Sequence, residues 1–428
     1  MRVTRTPHVV IIGGGVVGLC CAYALRENGL EVSVIERGSC GGAASLGNAG
    51  WITPALSAPL PSPGVVRQAL KWMAKGDSPL LVRPRLDPAF WWWCWQFWRS
   101  SDRKRYQEGL KATLALNQKT FALYDALKAA GVRFEMHNSG LVFAARNERT
   151  TREYAEMFGE IDQLGFTSNT RVLGPEELHE LEPALSNSVV GGLFASEERY
   201  VQPETLTRGL VAYLRTKNVD IIEGARVETL HRDNRQAVWK VTAGGAQLIA
   251  DQVVIAAGVW TKFIAANLGI RIPLEAAKGY SLTTVGEGTR PQHALYLAEA
   301  KVGCSPYRDN VRLAGTLELA GIDEAINRRR LDAVLRAASA YLRDWRPNEP
   351  RLEWAGLRPL TPDGLPLIGA IPGIEGLYVA TGHAMLGITL APATGLALSA
   401  LIQGDSSPVE LKPFRPERLV RVRRIGRR

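Results

Sequence analysis

The first apolar signal in the chain is Val9-Val10-Ile11-Ile12, an uninterrupted run of β-branched residues. That is the pattern of a strand buried on both faces of a parallel sheet. Glycines follow at once, in Gly13-Gly14-Gly15-Val16-Val17-Gly18, and a helical pattern then continues to about residue 27, where Asn28-Gly29 stops it. A second apolar strand, Glu31-Val32-Ser33-Val34-Ile35, ends at Glu36. Residues 59–135 read as mostly helical, with one long pattern over 112–130. Strand-like runs occupy 134–145 and 280–317, and an apolar helix spans about 390–401.

In a strand–turn–helix of this kind each glycine has a mechanical task. Gly13 permits the tight turn out of the strand, Gly15 lets the backbone approach a pyrophosphate, and Gly18 lets the helix pack on the sheet. The helix start offers free N–H groups and the positive end of its dipole, and Glu36 is spaced to accept hydrogen bonds from a ribose diol. These features predict a bound dinucleotide near the N-terminus.

The chain has 428 residues, a length that suits two or three domains. Its net charge of +10 raises nucleic acid, anionic membrane and acidic ligands as partners. No zinc-ligand spacing, RNP-like aromatic motif or basic zipper is present, so nucleic acid is not expected. Seven arginines crowd residues 415–428 and read as a solvated tail, or as a membrane or partner contact. The five cysteines, Cys20, Cys21, Cys40, Cys94 and Cys304, form no Cys-x-x-Cys pair, which excludes a zinc site and fits a reducing, cytoplasmic setting. No metal is expected. No signal peptide and no apolar stretch of spanning length are evident.

Five segments resemble bacterial D-amino-acid dehydrogenases, within the D-amino-acid oxidase and glycine oxidase superfamily. They are Ser45-Leu46-Gly47-Asn48-Ala49-Gly50; the strand ending Ala256-Ala257-Gly258; Lys278-Gly279-Tyr280-Ser281; Gly356-Leu357-Arg358-Pro359-Leu360-Thr361-Pro362-Asp363-Gly364; and Gly382-His383-Ala384-Met385-Leu386-Gly387-Ile388-Thr389. The matches run from residue 8 to 402 in the family's order.

The resemblance implies a fold of class α/β + α+β, a Rossmann-like FAD-binding domain interleaved with a substrate domain built on a mixed antiparallel sheet. The FAD domain would gather residues 1–58, 200–275 and 355–428, and the substrate domain 59–199 and 276–354. The cofactor would be FAD, held non-covalently, since Asn48 and Cys304 do not match the attachment positions of covalent relatives. Its contacts would come from Gly13, Gly15, Val16, Val17, Gly18, Glu36, Arg37, Ser45, Asn48, Ala49, Gly50, Val227, Ala257, Gly258, Gly382, Leu386, Gly387, Ile388 and Thr389.

The implied reaction oxidises the C–N bond of an amino acid, cyclic ones such as D-proline or hydroxyproline included, to an imine that hydrolyses to a 2-oxo acid. Arg358 would grip the substrate carboxylate as a planar fork. Tyr280, Tyr307 and His383 are further candidates, for each of which a structural role also fits. Glycine oxidases carry an arginine where this chain has Met385, which points to a larger apolar substrate. Electrons would pass to a respiratory quinone or a carrier. An oxidase using oxygen, an opine oxidase subunit and an electron-transfer subunit without its own substrate are the alternatives, and an oligomer is left open.

Phe90-Trp91-Trp92-Trp93-Cys94-Trp95-Gln96-Phe97-Trp98-Arg99 predicts a helix with Phe90, Trp93 and Phe97 on one face and Trp91, Trp95 and Trp98 on another. Aromatic rings beside basic residues suit a lipid headgroup zone, which the resemblance implies would be the inner membrane, and equally suit an internal or subunit interface.

Overall fold

The computed structural model describes residues 6–73, 80–349 and 351–422. The first sheet has six strands in the order Asp220–Ile222, Glu31–Ile35, His8–Ile12, Gln252–Ile255, Leu377–Thr381, Leu367–Ala370. Its first five strands are parallel and the last is antiparallel. Every residue of His8–Ile12 is buried. Alternation sends Val9 and Ile11 into a helix-covered core, and Val10 and Ile12 into a core under a three-stranded antiparallel sheet. The continuous apolar run is thus the signature of a strand covered on both sides.

The helix-covered side is built by Val16–Glu27, Pro203–Thr216 and Gly387–Gln403. A β-carbon on Gly395 would stand 2.4 Å from the carbonyl oxygen of Cys20, and one on Gly18 would stand 1.9 Å from that of Gly13. These two hydrogens-for-side-chains let the first helix lie against both the sheet and the last helix. The last helix carries Pro392, which has no N–H to offer the carbonyl of Ile388. The hydroxyl of Tyr124 donates to that carbonyl instead, at 2.7 Å.

The second, nine-stranded sheet runs Leu352–Leu360, Glu275–Thr284, Val311–Leu319, Val302–Pro306, Ala294–Leu297, Leu141–Ala145, Gly191–Ala195, Thr170–Leu173, with Leu80–Val82 beside Val311–Leu319. It is mixed and mostly antiparallel, as expected. The division drawn at residues 354 and 355 falls inside the strand Leu352–Leu360. The long helical pattern over 112–130 resolves into two helices, Arg103–Asn117 and Thr120–Ala129.

The basic tail is not simply solvated. Arg418 donates to the Asp363 carboxylate at 2.6 Å and to the carbonyls of Leu365 and Pro366 at 2.6 and 2.9 Å, so it clamps the Pro-Asp-Gly turn. Arg423, Arg424, Arg427 and Arg428 lie outside the described residues. The aromatic helix spans Pro88–Ser100, capped by the Asp87 side chain, which accepts from Ala89 N. Its faces divide as the spacing predicts. Phe90 and Trp93 are buried against Ala277, Leu319 and Leu360 with Phe97 packed beside them, whereas Trp91, Trp92, Trp95 and Trp98 are 53, 52, 40 and 61% exposed. No helix among the described residues is long and apolar enough to cross a membrane.

One buried acid ties together two segments far apart in the sequence. Glu198 accepts from Ala55 N at 3.1 Å through Oε1, while Oε2 has no partner among the described residues. Burial pushes its pKa from the ordinary 4.5 up to about 8. The folded protein therefore binds this proton more tightly than the unfolded chain. The associated stability is complete below pH 4.5 and is lost as pH rises through 8. Glu198→Gln keeps an acceptor for Ala55 and removes the titration. The melting temperature of Glu198→Gln relative to the parent is expected to rise steadily from pH 5 to 8.5; a constant difference across that range would show that Glu198 is not protonated in the fold.

Candidate active site

A cavity of about 670 Å³ draws its walls from both sheets. The start of the first helix contributes Gly13, Gly15, Val16 and Val17, and the second strand ends on it with Glu36 and Arg37. Ser45 and Asn48 come from the loop after that strand. Val227 opens the small antiparallel sheet, and Ala257 and Gly258 follow the strand Gln252–Ile255. The start of the last helix adds Gly387 and Ile388. Two helix N-termini therefore meet one cavity, and neither has an acidic residue in its first turn.

Arg358 and His383 stand on the same wall. Arg358 lies on the edge strand Leu352–Leu360, opposite Ala277 of the neighbouring strand. Its guanidinium reaches across that neighbour and donates through Nη1 to the carbonyl of Thr316, at 3.0 Å, one strand further on. The crossing is made over Gly279, where a β-carbon would lie 2.3 Å from Nη1 and Nη2. No carboxylate among the described residues pairs with this guanidinium, and burial lowers its pKa to about 10. It stays charged at neutral pH, enclosed and facing the cavity.

Residues 8–401 match the model of the DAO family, described as FAD dependent oxidoreductase. The chain is a member of that family. The D-amino acid dehydrogenase of Vibrio vulnificus is 30% identical over 95% of this chain and 99% of that protein. The D-amino acid dehydrogenase of Chromohalobacter salexigens is 32% identical over 94% and 97% respectively. Among solved structures, glycine oxidase from Geobacillus kaustophilus superposes with a TM-score of 0.74 at 22% identity, covering 96% of this chain and 99% of that one. L-proline dehydrogenase from P. horikoshii gives 0.71 at 19% identity, with 96 and 97% covered. At these identities the structural likeness is one of fold.

The cavity suits the FAD of this family. Free N–H groups at the two helix starts face it, and its volume falls in the range of small-molecule and cofactor sites. Glu36 is held ready by its own neighbourhood, accepting from Gly14 N at 2.8 Å and Gly38 N at 2.9 Å. Each of its oxygens keeps a lone pair for a ribose hydroxyl. Ser45 Oγ accepts from Val16 N at 3.1 Å and so caps the first helix rather than leaving every start group free.

Several expected site residues are engaged by the protein itself. Tyr280 pairs with Ala355, an odd number of positions from the Ala277–Arg358 pair, so its side chain leaves the sheet on the opposite face. There it donates to Glu318 Oε2 at 2.7 Å within a buried core. Tyr307 is also fully buried, donating to the carbonyl of Ala49 at 2.8 Å, and it braces the 45–50 loop from behind. His383 Nε2 meets Thr394 Oγ1 at 2.9 Å, and burial lowers its pKa to about 3. Held neutral in this way, its imidazole adds no positive charge to the cavity at neutral pH. Thr389 turns its hydroxyl to Trp51 O and Thr53 N. Gly18, Ala49, Gly50, Gly382 and Leu386 support the cavity without lining it.

Other contributors escape sequence reading. The buried Arg312 donates through Nη1 to the carbonyls of Leu46 and Asn48, both at 2.9 Å, and fixes the loop that presents Asn48. Trp260 lines the cavity with Arg37 stacked 3.7 Å over its ring. Neither residue belongs to a local motif. Gly279→Ala is expected to retain FAD, read from flavin absorbance per chain. It should weaken binding of a simple carboxylate by about tenfold or more, because loss of the Thr316 bond and of the fixed orientation removes more than about 1.4 kcal/mol. Unaltered carboxylate affinity would show that the crossing over Gly279 does not position Arg358.

Proposed function

We propose that this FAD-dependent oxidoreductase is a D-amino-acid dehydrogenase, oxidising the C–N bond of a D-amino acid to an imine that hydrolyses to the 2-oxo acid. The observation that carries the reading is Arg358: an enclosed guanidinium without a carboxylate partner among the described residues, on the wall of the cofactor cavity. Buried charges are ordinarily paired, so such a group calls for an anionic ligand. The relatives named D-amino acid dehydrogenase over nearly the whole chain support the choice of substrate. FAD, bound without a covalent link, supplies the hydride acceptor. The chain's own residues do the rest. Gly13, Gly15, Val16, Val17 and Glu36 would hold the dinucleotide, Gly387 and Ile388 at the start of the last helix would favour the negative charge of a reduced flavin, and Arg358 would orient the substrate. Met385, 48% exposed next to the cavity-lining Ala384, stands where glycine oxidases carry an arginine, and its apolar side chain favours larger or cyclic substrates over glycine.

Stopped-flow mixing with D- and L-amino acids under nitrogen is expected to bleach the flavin with D-isomers. Reoxidation should be slow in air and fast with a quinone. Bleaching by no amino acid would overturn the proposal, and rapid reoxidation by air would make the protein an oxidase. Arg358→Ala should raise KM roughly 100-fold, since a charge-assisted pair is worth about 3 kcal/mol.

The acceptor is proposed to be a membrane quinone reached by peripheral contact through the aromatic helix. The exposed rings of Trp91, Trp92, Trp95 and Trp98 are edged by Arg99, which stacks 4.9 Å over Trp95, and by the exposed Arg103 and Arg105. Rings and cations together match an anionic headgroup layer. The parent should sediment with anionic liposomes and much less with neutral ones, and Trp92→Ser with Trp95→Ser should abolish sedimentation. Retention of the double variant on liposomes, or a parent that stays in the supernatant, would exclude the helix as the contact.

A further inference from the structure

In the segment Lys278-Gly279-Tyr280, Gly279 lets Arg358 cross the sheet and Tyr280 donates to Glu318 on the opposite face. Lys278, two residues from Tyr280, leaves on that opposite face too, and its side chain is 1% exposed. The strand Glu275–Thr284 pairs with Val311–Leu319 through Lys278 opposite Glu318 and then Tyr280 opposite Gly315. Thr316 and Leu317 therefore stand against the single Gly279 as a β-bulge. Although Glu318 faces Lys278 across the strands, its Oε1 lies 3.9 Å from Nζ. The closer partners are further along the chain. Nζ donates to Asp323 Oδ2 at 2.7 Å and to the carbonyl of Ala325 at 3.0 Å. A buried lysine needs such partners, and here it takes them from residues 320–327. That segment is irregular and largely exposed, and it links the strand Val311–Leu319 to the helix Arg328–Tyr341.

The segment lies where the cavity opens. Six of the residues lining the cavity are exposed and mark its mouth: Arg37, Arg226, Phe263, Ala266, Asn267 and Ile322. The first five follow strands of the six-stranded sheet, whereas Ile322 follows a strand of the nine-stranded one. Two positions beyond Ile322, Glu324 reaches back to Arg37 at 3.9 Å, and Arg37 stacks on the cavity-lining Trp260. The chain thus bridges the two sides of the mouth at Ile322 and Glu324, with Asp323 and Ala325 tied down between and behind them. We propose that residues 321–325 form a strap over the mouth of the FAD cavity, that Lys278 is the positioning residue that fastens it, and that FAD passes only when the strap lifts. An exposed ion pair such as Arg37–Glu324 contributes little, so the fastening at Lys278 sets how often the strap lifts. The inference does not depend on which amine the enzyme oxidises.

The test follows FAD itself, starting from the holoenzyme. After dilution, free flavin in filtrates gives the release rate at early times and the affinity once the level is constant. Asp323→Ala is expected to speed release roughly tenfold, the loss of one charge-assisted hydrogen bond, while the affinity changes less than about twofold. A mouth that opens more often speeds entry and exit alike, which an ordinary wall contact does not. Lys278→Met should match Asp323→Ala, and the double variant should release no faster than either, because both break one fastening. Asp323→Ala, in a half-exposed segment, carries the test where Lys278→Met folds poorly. An unchanged release rate in Asp323→Ala would overturn the inference. So would faster release matched in full by weaker binding, or acceleration that adds in the double variant.

Discussion

The arrangement depends on the crossing of two apolar helices, Val16–Glu27 and Gly387–Gln403, at the contact of Gly395 with the Cys20 carbonyl. Packed this closely, the helices bring their N-terminal ends to one cavity. Each end concentrates unpaired N–H groups and partial positive charge, and no acidic side chain in either first turn offsets it. The fold thus assembles positive potential in an enclosed space before any ligand arrives. Pyrophosphate and a reduced flavin are the anions that this potential suits. Arg358 extends the same logic to the substrate, adding an enclosed cation on the adjoining wall.

The nucleotide-binding segment was legible because its signals are local. A run buried on both faces, a glycine at each close approach and an acid at the next strand end are all encoded within about thirty residues, where periodicity and spacing suffice. The aromatic helix was legible for the same reason, its two faces following from helical spacing alone. The break between residues 117 and 120, by contrast, interrupts a pattern that carries no glycine or proline there, and tertiary packing decides it.

The substrate side was harder to read because sheets are specified by register. Tyr280 and Arg358 belong to adjacent strands, and only the pairing shows that they leave the sheet in opposite directions. The bulge at Thr316 and the reach of Arg312 to the 45–50 loop join residues far apart in sequence. Nothing in the local composition around Thr316 or Arg312 marks either residue. His383 shows a different limit: its loop lines the cavity, but the burial that holds it neutral is a property of the folded environment.

The cavity is closed by pieces from both ends of the chain, residues 12–48 and 357–388, with 225–267 between them. The parallel strand Leu377–Thr381 and the helix that follows it lie far beyond the glycine motif in the order of synthesis. A growing chain therefore carries the complete glycine motif while still lacking the wall that would retain a cofactor. Cofactor capture therefore awaits these elements, and it separates chains that contain them from chains that do not. A chain cut short before residue 387 would expose the apolar face of its first helix, the kind of surface that chaperones and proteases recognise.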